Sequence, residues 1–306
     1  MVNTFRKVTI EDKEAIDFYL LKYSFFCLSA FTFSSLVAWE RVYHYEWTIL
    51  NNTLLLKFIT IEDGKEQLMQ PIGEFPKSLQ DKIIKYAQSL KYLLTIYGVS
   101  NTFISQHPVF VSYFERTEHR DMDNYIYAAE DLAILKGRDY QPKRNLITQF
   151  ENNNNWTSEQ IAATNITDCF DVINRIYNRN ELDLDSYLAH ELKALDFVLN
   201  HFTQLKEEGV LIRIDGKPVA FSIYEHLNSS TCVVHFEKAL REYKGLYQLI
   251  NRETAKKIYS KGCKHINREE DLGIEGLRKA KLSYHPIELC PANALVYKKL
   301  NSPDRY

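Results

Sequence analysis

The densest chemistry in this 306-residue chain lies between residues 263 and 286, CKHINREEDLGIEGLRKAKLSYHP. An alternating piece, Lys264-His265-Ile266-Asn267, runs into Arg268, Glu269, Glu270 and Asp271. Gly273 and Gly276 follow, then a helix-like segment carrying Arg278, Lys279, Lys281 and Tyr284 before Pro286. A strand that ends in polar residues and turns on glycine into a new helix is where open α/β sheets hold their ligands. Glu269 here, or Glu237 at the end of another expected strand, can act as a general base if partly buried. Arg268 or Lys238 can stabilise developing negative charge, and Tyr284 can protonate a leaving group. Asn267, Glu270 and Asp271 would line the same cleft. The plain alternative is a solvated charge run whose neighbours pair with one another. Arg278 and Lys281, three apart on a helix, share a face while Lys279 turns away, so one basic face could meet a phosphate.

The elements that position these groups read as alternating strands and helices. In the first half, strands at 46–49 and 53–61 join across Asn51-Asn52, a helix covers 76–90 and a strand covers 93–99. Gln141-Pro142 opens another helix with Lys143 and Arg144 in its first turn. Cations gain nothing from the helix dipole there, so an anion or substrate is one reading and a solvated face the other. The asparagine run at 151–156 is the natural boundary, which predicts domains at 1–150 and 151–306. Beyond it come helices at 166–177 and 184–202, then a hairpin of 209–214 and 218–226 across Asp215-Gly216, and a third strand at 231–237. A glycine loop at 241–245, a helix to 261, a strand at Ile266, a helix to Tyr284 and a last apolar strand at 295–297 complete the order. His235, alternating with Phe236, reads as a satisfied core histidine, and His265 likewise.

Composition narrows the class. A net charge of −2 gives no global pull toward nucleic acid or an anionic membrane, which argues against DNA as a partner. Five scattered cysteines without a C-x-x-C pair suggest reduced thiols in the cytoplasm, with neither a disulfide frame nor a metal site. The N-terminal residues lack a secretory apolar core. Residues 23–39 are uncharged but short of a spanning length, so a buried helix is expected and no transmembrane segment. An aromatic face docked on a bilayer is the other reading.

The C-terminal order of helices, three strands, glycine loop and helix resembles an N-acyltransferase domain of the GNAT type. Gly245 falls where such proteins seat the pantetheine and pyrophosphate arm of CoA. Ala280 to Tyr284 resembles their A-x-x-x-Y, whose tyrosine often protonates the leaving thiolate. Longer strings match one subgroup: Asp123-Asn124-Tyr125-Ile126-Tyr127, Lys143-Arg144-Asn145, His235-Phe236-Glu237-Lys238, Asn267 through Gly273, and Gly276 through Lys281. They resemble the DUF2156 proteins, relatives of the C-terminal domain of phosphatidylglycerol lysyltransferase. The resemblance implies an α/β fold of two tandem GNAT-like domains, the second carrying the active site. It also implies transfer of an acyl or aminoacyl group, from aminoacyl-tRNA or acyl-CoA, to an amine or hydroxyl acceptor such as a lipid. Lys143, Arg144, Asn145 and Gly245 join the substrate-binding set on this basis. Two positions depart from CoA-using GNAT proteins, which carry Gln or Arg three residues before the loop glycine and Gly or Ala two after it. Here those places hold Glu242 and Tyr247, an acid and a bulky ring where a pyrophosphate would approach. A non-catalytic ligand- or RNA-binding protein that keeps the fold is the rival expectation.

Overall fold

A computed structural model of the chain describes residues 5–23, 27–177, 183 and 186–299. The fold is mixed α/β, and its contacts gather into two compact units, Met1–Asp123 with Pro291–Tyr306, and Asn124–Cys290. Residues 124–150, expected with the first half, pack in the second unit. The asparagine run is the end of a helix and a two-residue connection inside that unit rather than a linker. It joins the Gln141–Asn153 helix to a Trp156–Gln160 strand. Its polarity serves local hydrogen bonds, from the Asn154 amide to the Phe150 carbonyl and from Asn155 to Asp215.

The first unit holds an eight-stranded sheet. Its Glu46–Leu50 and Thr53–Ile59 strands turn on Asn51 and Asn52 at φ 53° and 57°, the left-handed pair that a two-residue hairpin demands. The Lys77–Ser89 helix buries Leu79, Ile83 and Ala87, at helical spacing, against Leu55, Leu68 and Ile96. The last strand, Asn293–Tyr297, was expected to close the C-terminal domain. It lies instead in this sheet, antiparallel to both Thr95–Val99 and Phe114–Glu118, where the Asn293 amide also donates to the Val99 carbonyl. Of the uncharged stretch before Trp39, the described residues 28–38 are mostly buried but do not form one helix. A 3-10 turn at Ser29–Phe31 is followed by a short helix, Phe33–Ala38, capped by the Thr32 hydroxyl. Among the described residues no helix is long and apolar enough to cross a membrane. Cys169, Cys232 and Cys263 are free thiols, whereas Cys27 and Cys290 are disulfide sulfurs, which corrects the expectation of five thiols.

The second unit holds a seven-stranded sheet in the order Glu288–Cys290, Asn124–Ala128, His265–Asn267, Thr231–Ala239, Lys217–His226, Glu208–Ile214 and Trp156–Gln160. Asp215 and Gly216, at φ 48° and 78°, make the expected hairpin turn. The Leu246–Ser260 helix lays Leu246, Leu249, Ile250 and Ile258 on a core of Tyr125, Tyr127, Ile212, Val219 and Val234. Full burial of each such aliphatic side chain stabilises by about 1.5–3 kcal/mol.

Candidate active site

The site begins with one parallel pairing. Thr231–Ala239 and His265–Asn267 are in register only from Thr231 opposite His265 to Val233 opposite Asn267. After Asn267 the backbone loses that partner but keeps the one on its other side, Asn124–Ala128, with which His265–Asn267 already pairs: the Arg268 N–H donates to the Tyr125 carbonyl, and the Tyr125 N–H to the Glu269 carbonyl. The chain thus follows the Asn124–Ala128 strand while Thr231–Ala239 runs on, and the two strands open apart.

A bulge aims side chains into this opening. Ile223 faces Phe236 and Tyr224 faces Val234, so His235 is an extra residue in its strand. Before it the even residues Cys232 and Val234 lie in the core cluster; after it the odd residue Ala239 does. That change of parity turns Glu237 toward the Leu246–Ser260 helix, a use of bulges common beside functional sites.

Two side-chain pairs bridge the opening. Arg268 Nη2 lies 3.0 Å from Glu237 Oε1. Asn251 reaches the pair in either orientation of its amide: Nδ2 donates to Glu237 Oε2 at 3.3 Å in one, and in the other the oxygen instead accepts from the Arg268 guanidinium at 3.1 Å. Burial is the largest influence on Arg268 and opposes its charge, but Glu237, Tyr127 and Tyr284 together outweigh it and raise the guanidinium pKa further. His235 is held between Glu225 and Glu269, each at 2.8 Å. Burial disfavours its charge as well, yet the two carboxylates keep its pKa well above the ordinary value, so the imidazole is a buried cation. His235 is therefore a satisfied histidine, as expected, but a charged one. Glu269 is itself at φ 57°, a left-handed backbone that costs a non-glycine residue about 1–2 kcal/mol.

The floor and rim are cationic and aromatic. The Arg268 guanidinium lies 5.2 Å from the centroid of the Tyr284 ring and 5.9 Å from that of Tyr127. Lys143 reaches the same tyrosine, 4.2 Å from its centroid, and donates to Ser283 Oγ at 2.7 Å. Burial, and then Arg268, lower the Lys143 pKa. Burial also raises that of Tyr284 well above 10. Lys281 is buried and donates to the Arg268 carbonyl; burial and the neighbouring guanidinium bring its pKa down to about 8. Glu270 moves the other way, to about 7, through burial and the charge of Glu269.

Other expected site residues hold the frame. Asn267, fully buried, donates to Asn124 Oδ1 at 2.8 Å and accepts the Glu269 N–H at 2.6 Å. Asn124 in turn donates to Glu270. Asp271 takes a two-pronged contact from Arg278, at 2.8 Å on each oxygen, and accepts the Tyr125 hydroxyl at 2.6 Å. Arg278 and Lys281 share the inward face of the Glu275–Leu282 helix and Lys279 is exposed, as the spacing required. Arg144 donates to the carbonyls of Leu135 and Gly137, closing the end of the Ala129–Ile134 helix, and Asn145 is exposed. Lys238 points to the opposite face of its strand, onto Glu191 at 2.8 Å and the Tyr177 hydroxyl at 3.3 Å. Gly245, at φ 92°, starts the Leu246–Ser260 helix, and a Cβ there would strike the Leu146 carbonyl oxygen. Glycine is thus demanded by packing against the Gln141–Asn153 helix. Glu242 pairs with Arg175 at 3.5 Å.

Sequence reasoning left out His235 as a cation, its partner Glu225, and Asn251, Asn124, Tyr125 and Tyr127. The alternation of Tyr125 and Tyr127 within the Asp123–Tyr127 string was the available signal. Nothing local marks Glu225 or Asn251, which reach the site through the bulge and through helix packing.

Residues 28–292 match the family described as phosphatidylglycerol lysyltransferase, C-terminal. A crystal structure of a Bacteroides thetaiotaomicron protein of unknown function is similar, at 32% identity over 97% of this chain and 100% of that one, with a TM-score of 0.89. The DUF2156 C-terminal domain of a predicted lysylphosphatidylglycerol synthetase from Agrobacterium fabrum superposes at TM-score 0.64, with 14% identity over 94% of this chain and 92% of that one. L-PGS from Bacillus licheniformis does so at 0.61, with 13% identity over 84% and 85%. No protein among the curated ones matches.

Proposed function

We propose that this chain, which belongs to the family of the phosphatidylglycerol lysyltransferase C-terminal domain, is an aminoacyltransferase built of tandem GNAT-like domains. It would move an aminoacyl group from the ester of an aminoacyl-tRNA to a hydroxyl or amine acceptor, with its active site in the second unit. The observation that carries this reading is the strand opening bridged by Glu237–Arg268 and His235–Glu269 above the Tyr284 ring.

Of the two candidate bases, Glu237 is 11% exposed and tied to Arg268, whereas Glu269 is 27% exposed and held by His235 through one oxygen. In this reading Glu269 takes the acceptor proton as the acceptor oxygen or nitrogen attacks the ester carbonyl. Arg268 stabilises the oxyanion, a part that Lys238 cannot take from the far face of its strand. The bond to the ribose oxygen then breaks, that oxygen takes the proton of the Tyr284 hydroxyl, and the proton held by Glu269 passes by way of solvent to restore Tyr284. Lys143 would guide the donor's phosphate. Glu242, Tyr247 and the packed Gly245 argue against acyl-CoA as donor. An aminoacyl-tRNA donor implies a reaction in the cytoplasm. The names of the solved lysylphosphatidylglycerol synthetase relatives favour a lipid hydroxyl as acceptor.

One observation favours a binding protein without turnover: Glu237 and Arg268 neutralise each other internally. The test is to incubate the full chain with tRNA charged with radiolabelled amino acids, offering phosphatidylglycerol vesicles or soluble amines. Label in the lipid extract or on the amine is expected. Retained tRNA binding with no label in either fraction would select the binding reading.

A further inference from the structure

Away from the strand opening, three soft ligand atoms converge from three elements. His226 ends the Lys217–His226 strand, Cys232 lies near the start of Thr231–Ala239, and Cys263 precedes His265–Asn267. His226 Nδ1 is 3.5 Å from Cys263 Sγ and 3.7 Å from Cys232 Sγ, and the two sulfurs are 2.7 Å apart. Both cysteines are buried, while the His226 side chain is 47% exposed.

We propose that His226, Cys232 and Cys263 form a binding site for a thiophilic divalent cation, zinc in the first instance. Zinc bonds of about 2.3 Å to sulfur and about 2.0–2.1 Å to nitrogen give tetrahedral nitrogen-to-sulfur edges of about 3.6 Å, which the two observed separations bracket. The sulfur-to-sulfur edge would be about 3.8 Å on the same geometry, so the thiolates must part by roughly 1 Å. Cys263 can provide that movement, because it sits in the turn before its strand rather than in the paired ladder.

The surroundings of the imidazole match those of a metal ligand. Its other nitrogen, Nε2, faces Glu208 Oε1 at 3.9 Å, and Glu208 is fixed by the Tyr224 hydroxyl and the Lys261 ammonium. A carboxylate on that side of the imidazole, just beyond hydrogen-bond reach here, would fix which nitrogen is left for the metal once it closes by less than about 1 Å. Two thiolates and an imidazole select a soft or borderline ion over magnesium or calcium. With the imidazole 47% exposed, water would be available as a fourth ligand. Such a site is invisible to spacing rules because its ligands, at 226, 232 and 263, fit no short motif. It revises the expectation, drawn from cysteine spacing, that no metal binds.

The position suggests what the ion does. The three ligands surround the short paired stretch of Thr231–Ala239 and His265–Asn267, and those strands separate a few residues later at the candidate active site. A metal here would pin the closed end of that opening. The proposal does not depend on the reaction assigned above.

The test uses the full chain, reduced with a phosphine under anaerobic conditions, stripped with chelator and titrated with zinc and separately with cobalt(II). One zinc per chain is expected, with a rise in Tm. Cobalt should show a thiolate charge-transfer band and the visible bands of tetrahedral coordination. His226→Ala, at an exposed position, should weaken binding without unfolding the protein, and Glu208→Gln should weaken it about 10–100-fold. Cys232→Ser and Cys263→Ser should each abolish the charge-transfer band or reduce it markedly. Absence of stoichiometric zinc binding by the reduced protein would overturn the proposal. So would binding that is unchanged in His226→Ala and both serine variants.

Discussion

Glu237 and Arg268 meet at 3.0 Å across a gap between two strands that are hydrogen-bonded only as far as Val233 and Asn267. The contact replaces a backbone ladder with a side-chain bridge, and it holds a guanidinium fork against the Tyr284 ring. Removing one partner leaves the other charge largely desolvated.

Arg268→Met should therefore destabilise the protein by about 2–3 kcal/mol, somewhat below the usual cost of breaking a buried pair because both side chains keep a little solvent access. The double variant with Glu237→Gln should lose less than the sum of the two single losses. Urea unfolding of the four proteins measures this. Strict additivity would mean that the pair is not coupled.

Glu269→Gln should lower the transfer rate by about 10²–10⁴ while preserving the fold, since glutamine can still face His235. Tyr284→Phe should reduce the rate with little change in donor affinity. Initial rates with charged tRNA, alongside tRNA binding, separate these effects. Unchanged rates in both variants would remove both residues from the chemistry.

Glu270 and Lys281 shape the pH dependence of stability in opposite ways. The Glu270 pKa is about 7 when folded against 4.5 ordinarily, so the folded state holds the proton more tightly and stability falls as pH rises from about 4.5 to 7. The Lys281 pKa is about 8 when folded against 10.5, so the unfolded state holds that proton more tightly and stability recovers as pH rises from about 8 to 10.5. Each contribution is about 1–2 kcal/mol once solvent access is allowed for. Glu270→Gln should raise Tm by a few degrees at pH 7.5 and by almost nothing at pH 4.5, as followed by circular dichroism.

Asp271 has the sign opposite to that of Glu270. The Arg278 fork, helped by the Tyr125 hydroxyl, holds its carboxylate well below 3.8, so the stability it gives is present above that pH and is lost as pH falls through its folded value. Asp271→Asn should cost about 3 kcal/mol at pH 7, and the difference should shrink in strong acid. Equal destabilisation at every pH would point to packing instead.

Gly245→Ala should destabilise by about 1–3 kcal/mol from backbone strain alone, with more from the Leu146 contact. CoA or acetyl-CoA at millimolar concentration should leave the wild-type Tm unchanged. A clear upward shift would restore acyl-CoA as the donor.

Much of this was legible in the residues. Asn51-Asn52 and Asp215-Gly216 specified their hairpins because only a few residue types accept a left-handed backbone cheaply. The spacing of Arg278 and Lys281 fixed their common face. The strings around Glu237 and Arg268 marked the segments that meet at the opening. What could not be read was long-range pairing. Residues 151–156 looked like a boundary because turn-forming and linker-forming sequences share a composition. The bulge at His235 has no signature, since register depends on the partner strand, and so the inward turn of Glu237 and the roles of Glu225 and Asn251 stayed hidden.

The place of Asn293–Tyr297 also sets an order of events during synthesis. Thr95–Val99 and Phe114–Glu118 do not bond to each other; each bonds to that late strand. On a growing chain they would stand as two open edges with a vacant slot until residues 293–297 emerge, whereas residues 124–290 form a continuous segment that can complete its own sheet earlier. The sheet begun before residue 124 would thus close after the one that follows it along the chain. Meanwhile its exposed edges would invite pairing with other nascent chains.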